Sequence, residues 1–329
     1  MPEPNNDQPK WSQESIMGLS RGFMESRVLL TGAELDLFTL TAAAPLTMEQ
    51  IAERIGGDRR ALAIVLDALA AMGLLIKRDG SYQTEPSAAR FLAADSPDSI
   101  LPIIQHNIDL WERWGRLTAK VAVQEKPDWS MQAFIGAMHA IARPLAARIV
   151  QLVNPAGARR LIDVGGGSGS YTLAFLDAAP EMRATIFDRP EVIEMARERV
   201  GAAGMLERVA LVAGDFETDP LPAGHDLAFV SAIIHQNSPA ENGALFRKIF
   251  AALDPGGRVV VRDHILSPDR TQPRSGALFA VNMLVGTEGG NSYTEAEIRD
   301  ALTEAGFVGV RLIHPDRQMD GLVEAFRPR

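Results

Sequence analysis

Arg159 to Ser170, RRLIDVGGGSGS, is the stretch whose reading decides the fold. Leu161 to Val164 read as a short buried strand that carries an acid, Asp163, near its end. Gly165, Gly167 and Gly169 follow on alternate positions, and a helical pattern opens at Tyr171. Strand, glycine turn and helix in that order make a nucleotide-type binding turn. Missing side chains let a ligand approach the backbone, and glycine permits the positive φ that a tight turn needs. The first amides of the following helix are unsatisfied donors.

The spacing narrows the ligand. A dinucleotide turn reads G-x-G-x-x-G, and its last position here is Ser170. This chain reads D-x-G-x-G-x-G instead, with the acid Asp163 ahead of the turn. A carboxylate beside the pyrophosphate of a nicotinamide coenzyme would repel it. S-adenosylmethionine brings an amino group and a sulfonium, so an acid there fits. A second acid agrees: Ala184 to Asp188 reads as the next strand, and Asp188, nineteen residues beyond Gly169, is placed to accept from both ribose hydroxyls.

The bulk properties exclude several classes. The 329 residues suggest two domains or one with a large addition, and 46% apolar content is enough for a sizeable core. A formal charge of −9 without a long basic run disfavours nucleic acid and anionic membranes as partners. The absence of cysteine rules out disulfides, thiolate catalysis and thiolate-bound zinc. No apolar run approaches the roughly 18 residues of a membrane span. The polar start, MPEPNNDQPKW, lacks an apolar signal core, so a frayed tail and a cytoplasmic protein are expected.

Ahead of the glycine turn, residues 15–40 carry apolar side chains at helical spacing. Thr47 and Gln50 form a capping-box pattern for the next helix, which Gly56-Gly57-Asp58 ends. A helix from Arg59 to Met72 and a hairpin turning at Asp79-Gly80 complete a winged-helix module over roughly 30–92. Its second helix offers mostly alanine and leucine, and residues 1–150 hold fifteen basic against eighteen acidic side chains. A base-reading helix needs several Arg, Lys, Asn or Gln, so a protein–protein surface, most simply a homodimer interface, is the better reading. Residues 97–150 are helical again, with Trp111, Trp114 and Trp129, and with breaks marked by Pro127 and Pro144. Phe134 and Met138 lie at helical spacing there and suit either the core or an apolar substrate pocket.

Beyond Arg159, strands at 160–164, 184–188, 208–213, 226–231, 258–263, 308–314 and 321–326 alternate with helices near 171–179, 191–203 and 241–253. This spacing predicts a parallel sheet covered on both faces. Pro315 to Asp320 is too short for a crossover helix, so the last two strands form an antiparallel hairpin. Ligands in such sheets lie beyond the carboxyl ends of the strands. The third strand end offers Asp215 for the adenine amino group and Phe216 to stack on its face. The fourth ends at His235, near neutral pH a competent proton acceptor, and the fifth at Arg262-Asp263-His264, where His264 is a rival base. Neighbouring residues on a strand face opposite ways, so Asp263 and His264 reach one pocket only if the strand has ended. His235 and the nearby acids lack a compact metal-ligand spacing, and no metal is expected.

These residues resemble the plant-type small-molecule O-methyltransferases with their bacterial polyketide and acetylserotonin-type relatives. The resemblance is carried by LIDVGGGSG, FDRPEVI, GDF, the histidine after the fourth strand and ALDPGGRVVVRDHIL, and it covers nearly the whole chain. It implies a Rossmann-like class I methyltransferase sheet, mostly parallel with a C-terminal antiparallel hairpin, preceded by an all-helical winged-helix dimerisation domain. The corresponding bounds are a tail at 1–14, the winged helix at 15–96, a helical linker contributing to the pocket at 97–150 and the catalytic domain at 151–329. It further implies a homodimer, S-adenosylmethionine as cofactor and a hydroxyl on an aromatic or polycyclic substrate. On the matching positions, Asp163, Gly165, Gly167, Asp188, Asp215, Phe216 and Ser231 fall to the cofactor. His235 would be the general base, Asp263 its orienting carboxylate, and Met283, with Phe134 and Met138, part of the substrate wall. Three positions depart: His235-Gln236-Asn237 replaces His-Asp-Trp, Ser231 replaces a lysine, and Ser292 replaces a second glutamate. N-, C- or S-methylation, a cofactor-assisted decarboxylation or hydroxylation, and a cofactor-sensing DNA-binding regulator are the competing expectations.

Overall fold

The structure, a computed structural model, describes residues 11–122 and 131–329. The chain divides into two compact units between Ala122 and Val123. In the first, α1 (Gln13–Glu34) opens on a Ser12 capping box and gives way at Asp36, whose φ of 52° breaks the helix before α2 (Leu37–Leu40). Gln13 and Glu14, read as tail, are therefore helical. The winged helix forms as its signals require. β1 (Leu46–Thr47) leads into α3 (Met48–Ile55), capped reciprocally by Thr47 and Gln50, and Asp58 caps α4 (Arg59–Ala71). β2 (Leu75–Arg78) and β3 (Ser81–Thr84) turn at Asp79 and Gly80, both at positive φ as a two-residue hairpin turn needs. β3 also pairs with β1, so the expected all-helical domain contains a three-stranded sheet. Five apolar side chains of α4 (Leu62, Ile64, Leu66, Ala68 and Leu69) are buried, and its Asp67 accepts from Lys77 and Tyr82 of the wing, both at 2.6 Å. That helix is committed to the core of its unit. α5 (Pro86–Leu92), α6 (Leu101–Trp114) and α7 (Leu117–Val121) complete the unit.

The second unit begins with α8 (Met131–Val153), so the segment read as one linker divides between the two units. Trp129 and Pro127 lie outside the described residues. Pro144 does not break α8. Its ring removes one donor, but Ala146, Ile149, Val150 and Val153 beyond it are buried, and that packing outweighs the loss. Against expectation, Ala133–Val153 is long and apolar enough to cross a membrane by length and composition. Its C-terminal residues Ala146, Ile149, Val150 and Val153 are buried in the core of the second unit, but most of the stretch is not.

The sheet follows: β4 (Arg160–Val164), α9 (Ser170–Ala178), β5 (Arg183–Asp188), α10 (Pro190–Ala202), β6 (Val209–Ala213), β7 (His225–Ser231), α11 (Pro239–Ala252) and β8 (Leu253–Asp263). β9 (Ile265–Leu266), α12 (Arg274–Gly286), β10 (Tyr293–Thr294) and α13 (Glu295–Glu304) precede the hairpin of β11 (Val308–His314) and β12 (Gly321–Phe326). α12 and α13 were not read from the sequence. The seven strands run β11-β12-β8-β7-β4-β5-β6, parallel from β8 to β6, with β12 antiparallel to both neighbours. The order reverses between β4 and β7, which makes their carboxyl ends the switch point where such sheets bind ligands.

Alternation along each strand splits the core. Ile162, Val164, Val230, Val261 and Val323 pack with residues of α11 and α13, whereas Leu161, Ile186, Phe229, Val260 and Leu322 pack with residues of α8, α9 and α10. Asp163 belongs by alternation to the second face and is 1% exposed, with Thr172 of α9 donating to it at 2.6 Å. Burial, opposed by that bond and reinforced by the nearby Asp188, pushes its carboxyl up to about 7. An unfolded aspartate titrates near 3.9. The fold therefore favours the neutral acid, and this contribution is full below the unfolded pKa and lost as pH rises through about 7. Urea unfolding from about pH 5 to pH 8 should show wild type losing stability relative to Asp163→Asn across that interval. Parallel curves would refute the assignment.

Candidate active site

At the exit of β4 the backbone turns through Gly165, Gly167 and Gly169 at φ of 68°, 56° and 77°. Two of the missing side chains are required by packing. A Cβ at Gly165 would lie 2.4 Å from Ile233 Cδ1, and one at Gly166 would lie 2.9 Å from Asp163 Cγ. At Gly167 the same probe meets nothing within 4 Å, so that position opens outward. Gly169 is the N-cap of α9. Asp163 supports this turn from beneath.

Asp188 reaches the turn from the end of β5. One carboxylate oxygen accepts from the Gly167 N–H at 2.8 Å and the other from its neighbour Arg189, also at 2.8 Å. Burial raises its pKa, against those two backbone bonds. Each oxygen keeps a second lone pair for a ribose hydroxyl. Phe216 packs with the core below, its ring 3.8 Å from where a Gly165 Cβ would be, while Asp215 uses one oxygen to accept from the Glu217 N–H at 2.8 Å. The turn therefore offers a cradle, an acid and an aromatic face, a donor and acceptor set that fits an adenosyl group with a cationic tail.

β7 ends at Ser231, and Ala232 follows at a φ of 58°, an uncommon angle for a residue with a side chain. The chain then enters a short 3-10 turn, Ile234–Gln236, that presents His235. Nδ1 of His235 lies 2.9 and 3.0 Å from the two oxygens of Asp263, the last residue of β8. Burial opposes the Asp263 charge, but His235, His264 and the hydrogen bonds from both hold its pKa below the ordinary value. The ring of Phe279, on α12, meets His235 edge-on at 4.8 Å. His264 shares the Phe279 ring, at 5.1 Å, but takes a different acid: it is 5% exposed, and its Nδ1 lies 2.7 Å from Asp316. The strand has indeed ended, and the two neighbours serve different partners.

The departures have structural roles. Asn237 is buried and donates to Asn242, which donates in turn to the Ile234 carbonyl, bracing the histidine turn. Ser292 is fully buried and donates to the Gly276 carbonyl at 2.9 Å. Ser231 accepts from Arg262 at 3.1 Å. Phe134 and Met138 lie one turn apart on α8 and stay 56% and 39% exposed, whereas Met283 is 9% exposed. Sequence reasoning gave no role to Thr172, Phe279 or Arg262. It also missed His139, whose Nδ1 lies 2.8 Å from Ser170 at the start of α9. Burial, then Arg199 and Arg143, lowers the pKa of His139. Of these residues, His139 alone lies in the segment 97–150 expected to contribute to the pocket.

Residues 114–308 match the O-methyltransferase domain and residues 17–94 the O-methyltransferase dimerisation domain. The chain is 33% identical to the 3-hydroxy-5-methyl-1-naphthoate 3-O-methyltransferase of Streptomyces sahachiroi, over 91% of this chain and 90% of the relative. Its fold matches an O-methyltransferase family 2 protein from Planctomyces limnophilus in complex with apigenin, with a TM-score of 0.80, 28% identity and 97% of both chains covered. It also matches PigF of Serratia with S-adenosylhomocysteine, with a TM-score of 0.58, 26% identity, and 96% and 100% of the two chains covered. Two family domains in order, a relative a third identical over nine-tenths of the chain, and an adenosyl cradle beside a histidine–aspartate pair agree: the chain belongs to the S-adenosylmethionine-dependent O-methyltransferase family.

Proposed function

We propose that the chain methylates a hydroxyl on a small aromatic or polycyclic substrate, with His235 as general base and Asp263 as its positioning residue. The observation that carries this reading is Asp263 astride His235 Nδ1. A carboxylate there fixes the Nδ1–H tautomer, which leaves Nε2 with the lone pair that accepts a proton. Asp263 is buried and anionic, so it also stabilises the imidazolium that forms. Phe279 limits rotation of the ring.

When bound, the cofactor supplies an electrophilic sulfonium methyl. Gly165 and Gly167 would admit its backbone-hugging portion, Asp188 its ribose hydroxyls, and Asp215 with Phe216 its adenine. Asp163 and Ser231 belong to the same rim, but both act on it through partners, Thr172 and Arg262. With the methyl group already activated, orientation is the main task of the protein and supplies up to roughly 7–11 kcal/mol in well-fitted sites. The substrate class finds support in the naphthoate-acting relative and the apigenin-bound neighbour, and in the exposed apolar side chains of Phe134 and Met138.

The same reading includes a homodimer. α1 leaves Ile16, Leu19 and Phe23 exposed at one-turn spacing, 54%, 72% and 52% accessible, within the matched dimerisation domain. A solvated stripe of this kind is stabilised by a partner surface.

His235→Ala should lower kcat by about 10²–10⁴-fold while cofactor affinity stays within about twofold. Transfer of label from methyl-labelled cofactor measures it, and full activity in that variant would remove His235 as the base. Asp263→Asn should lose kcat to a comparable degree, since an amide can hold the wrong tautomer. Leu19→Asp combined with Phe23→Asp should convert dimer to monomer in light scattering coupled to gel filtration. An unchanged mass would place the interface elsewhere.

A further inference from the structure

The geometry points to Arg262 as the receptor for a carboxylate carried by one of the two reactants. Arg262 is 3% exposed, one residue before the end of β8. Nη1 donates to Ser231, Nε is buried with no partner, and the guanidinium stands 5.3 Å from the centroid of the Tyr171 ring. Among the described residues no acid pairs with it. Arg258, four residues earlier on the same strand and face, shows the contrast, since it is paired with buried Glu324 at 2.9 Å. The acids nearest in sequence or face are committed elsewhere. Asp263 serves His235 on the opposite face, and Asp163 is bound to Thr172.

An isolated buried guanidinium carries a large desolvation penalty. One hydroxyl and one aromatic face offset only part of that. The remaining donors form a planar fork that matches a carboxylate. The register says where that carboxylate would come from. Arg262 is paired with Ser231 on β7, and Ser231 follows Val230, whose partner on β4 is Val164, the residue before Gly165. The cation thus lies two strands from the glycine turn, with its anchor Ser231 on the strand between. Both the amino-acid tail of S-adenosylmethionine and a carboxylate on an aryl acceptor are within the chemistry of that rim.

The proposal rests on the methyl-transfer reading above. Its test compares wild type with Arg262→Met by calorimetry, using S-adenosylhomocysteine and its decarboxylated analogue as probes. KM is measured in parallel for a hydroxyaryl carboxylic acid and its methyl ester. If the cofactor tail is the source, Arg262→Met weakens S-adenosylhomocysteine by about 30-fold or more and leaves the decarboxylated analogue unchanged. If the acceptor is the source, cofactor affinity holds and KM rises by a similar factor for the free acid only. In both cases the ligand-free variant melts at or above the wild-type temperature, because an unpaired buried charge has gone. Arg262→Gln is read against the same pairs if the methionine variant does not fold. Equal effects on both members of each pair, or a lower melting temperature with no selective loss, would overturn the proposal. Wild type that binds neither adenosyl probe would instead overturn the methyl-donor reading itself.

Discussion

A parallel sheet buried on both faces leaves one place for polar chemistry, the rim where its strands end. Between Leu161 and Val164, between Leu227 and Val230, and between Val259 and Val261, nearly every side chain is apolar and inaccessible. An ionised group in those rows would meet a desolvation cost of several kcal/mol. The titratable residues of the rim fall at the last one or two positions of three strands: Asp163, Asp188, Arg262 and Asp263. The topology then decides which of these meet, since the reversal between β4 and β7 places the glycine turn beside the exit that carries His235.

Alternation along β8 gives consecutive residues unlike tasks. Asp263 continues the face of Val261 and meets His235, while Arg262 continues the face of Val260 and meets Tyr171 and Ser231. His264 lies past the strand and turns to Asp316. Three consecutive chemically active side chains thus serve three separate sets of partners. A one-residue slip of β8 against β7 would exchange the first two and place a cation against the base. The unbroken register from Leu227↔Arg258 to Ser231↔Arg262, continued on the other edge by β12, is what prevents it.

Much of this is legible in the amino-acid sequence. The capping box at Thr47 and Gln50, the Asp79-Gly80 hairpin and the glycine turn are local chemistry, and each is found where the residues placed it. The pairing of His235 with Asp263 spans 28 positions and came from resemblance. What stayed hidden depends on packing between distant segments. The continuity of α8 through Pro144 rests on burial of its last two turns, which a breaker rule does not see. α12 has no side-chain cap to mark its start, whereas α13 opens on a capping box at Thr294 and Glu297 that went unread. Arg262 was visible as a letter at a strand end, but its missing counter-charge exists only in three dimensions.

The loss of a second carboxylate near the base need not loosen it, because the backbone around His235 is held from several directions. The Asn291 N–H donates to the His235 carbonyl at 2.8 Å. A Cβ at Gly290 would lie 2.5 Å from that same oxygen, so only glycine lets the loop close on the turn. Tyr293 donates to the Asn237 carbonyl, and Asn242 to that of Ile234, which ties both sides of the 3-10 turn to β10 and α11. With the main chain fixed and Phe279 against the ring, one carboxylate is left to set the tautomer, and Asp263 presents both oxygens to one nitrogen. A second acid would add negative charge to a buried site where Asp263 already faces a desolvation cost. Ser292, neutral and donating to the Gly276 carbonyl, secures α12 and the loop at 287–292 without that charge.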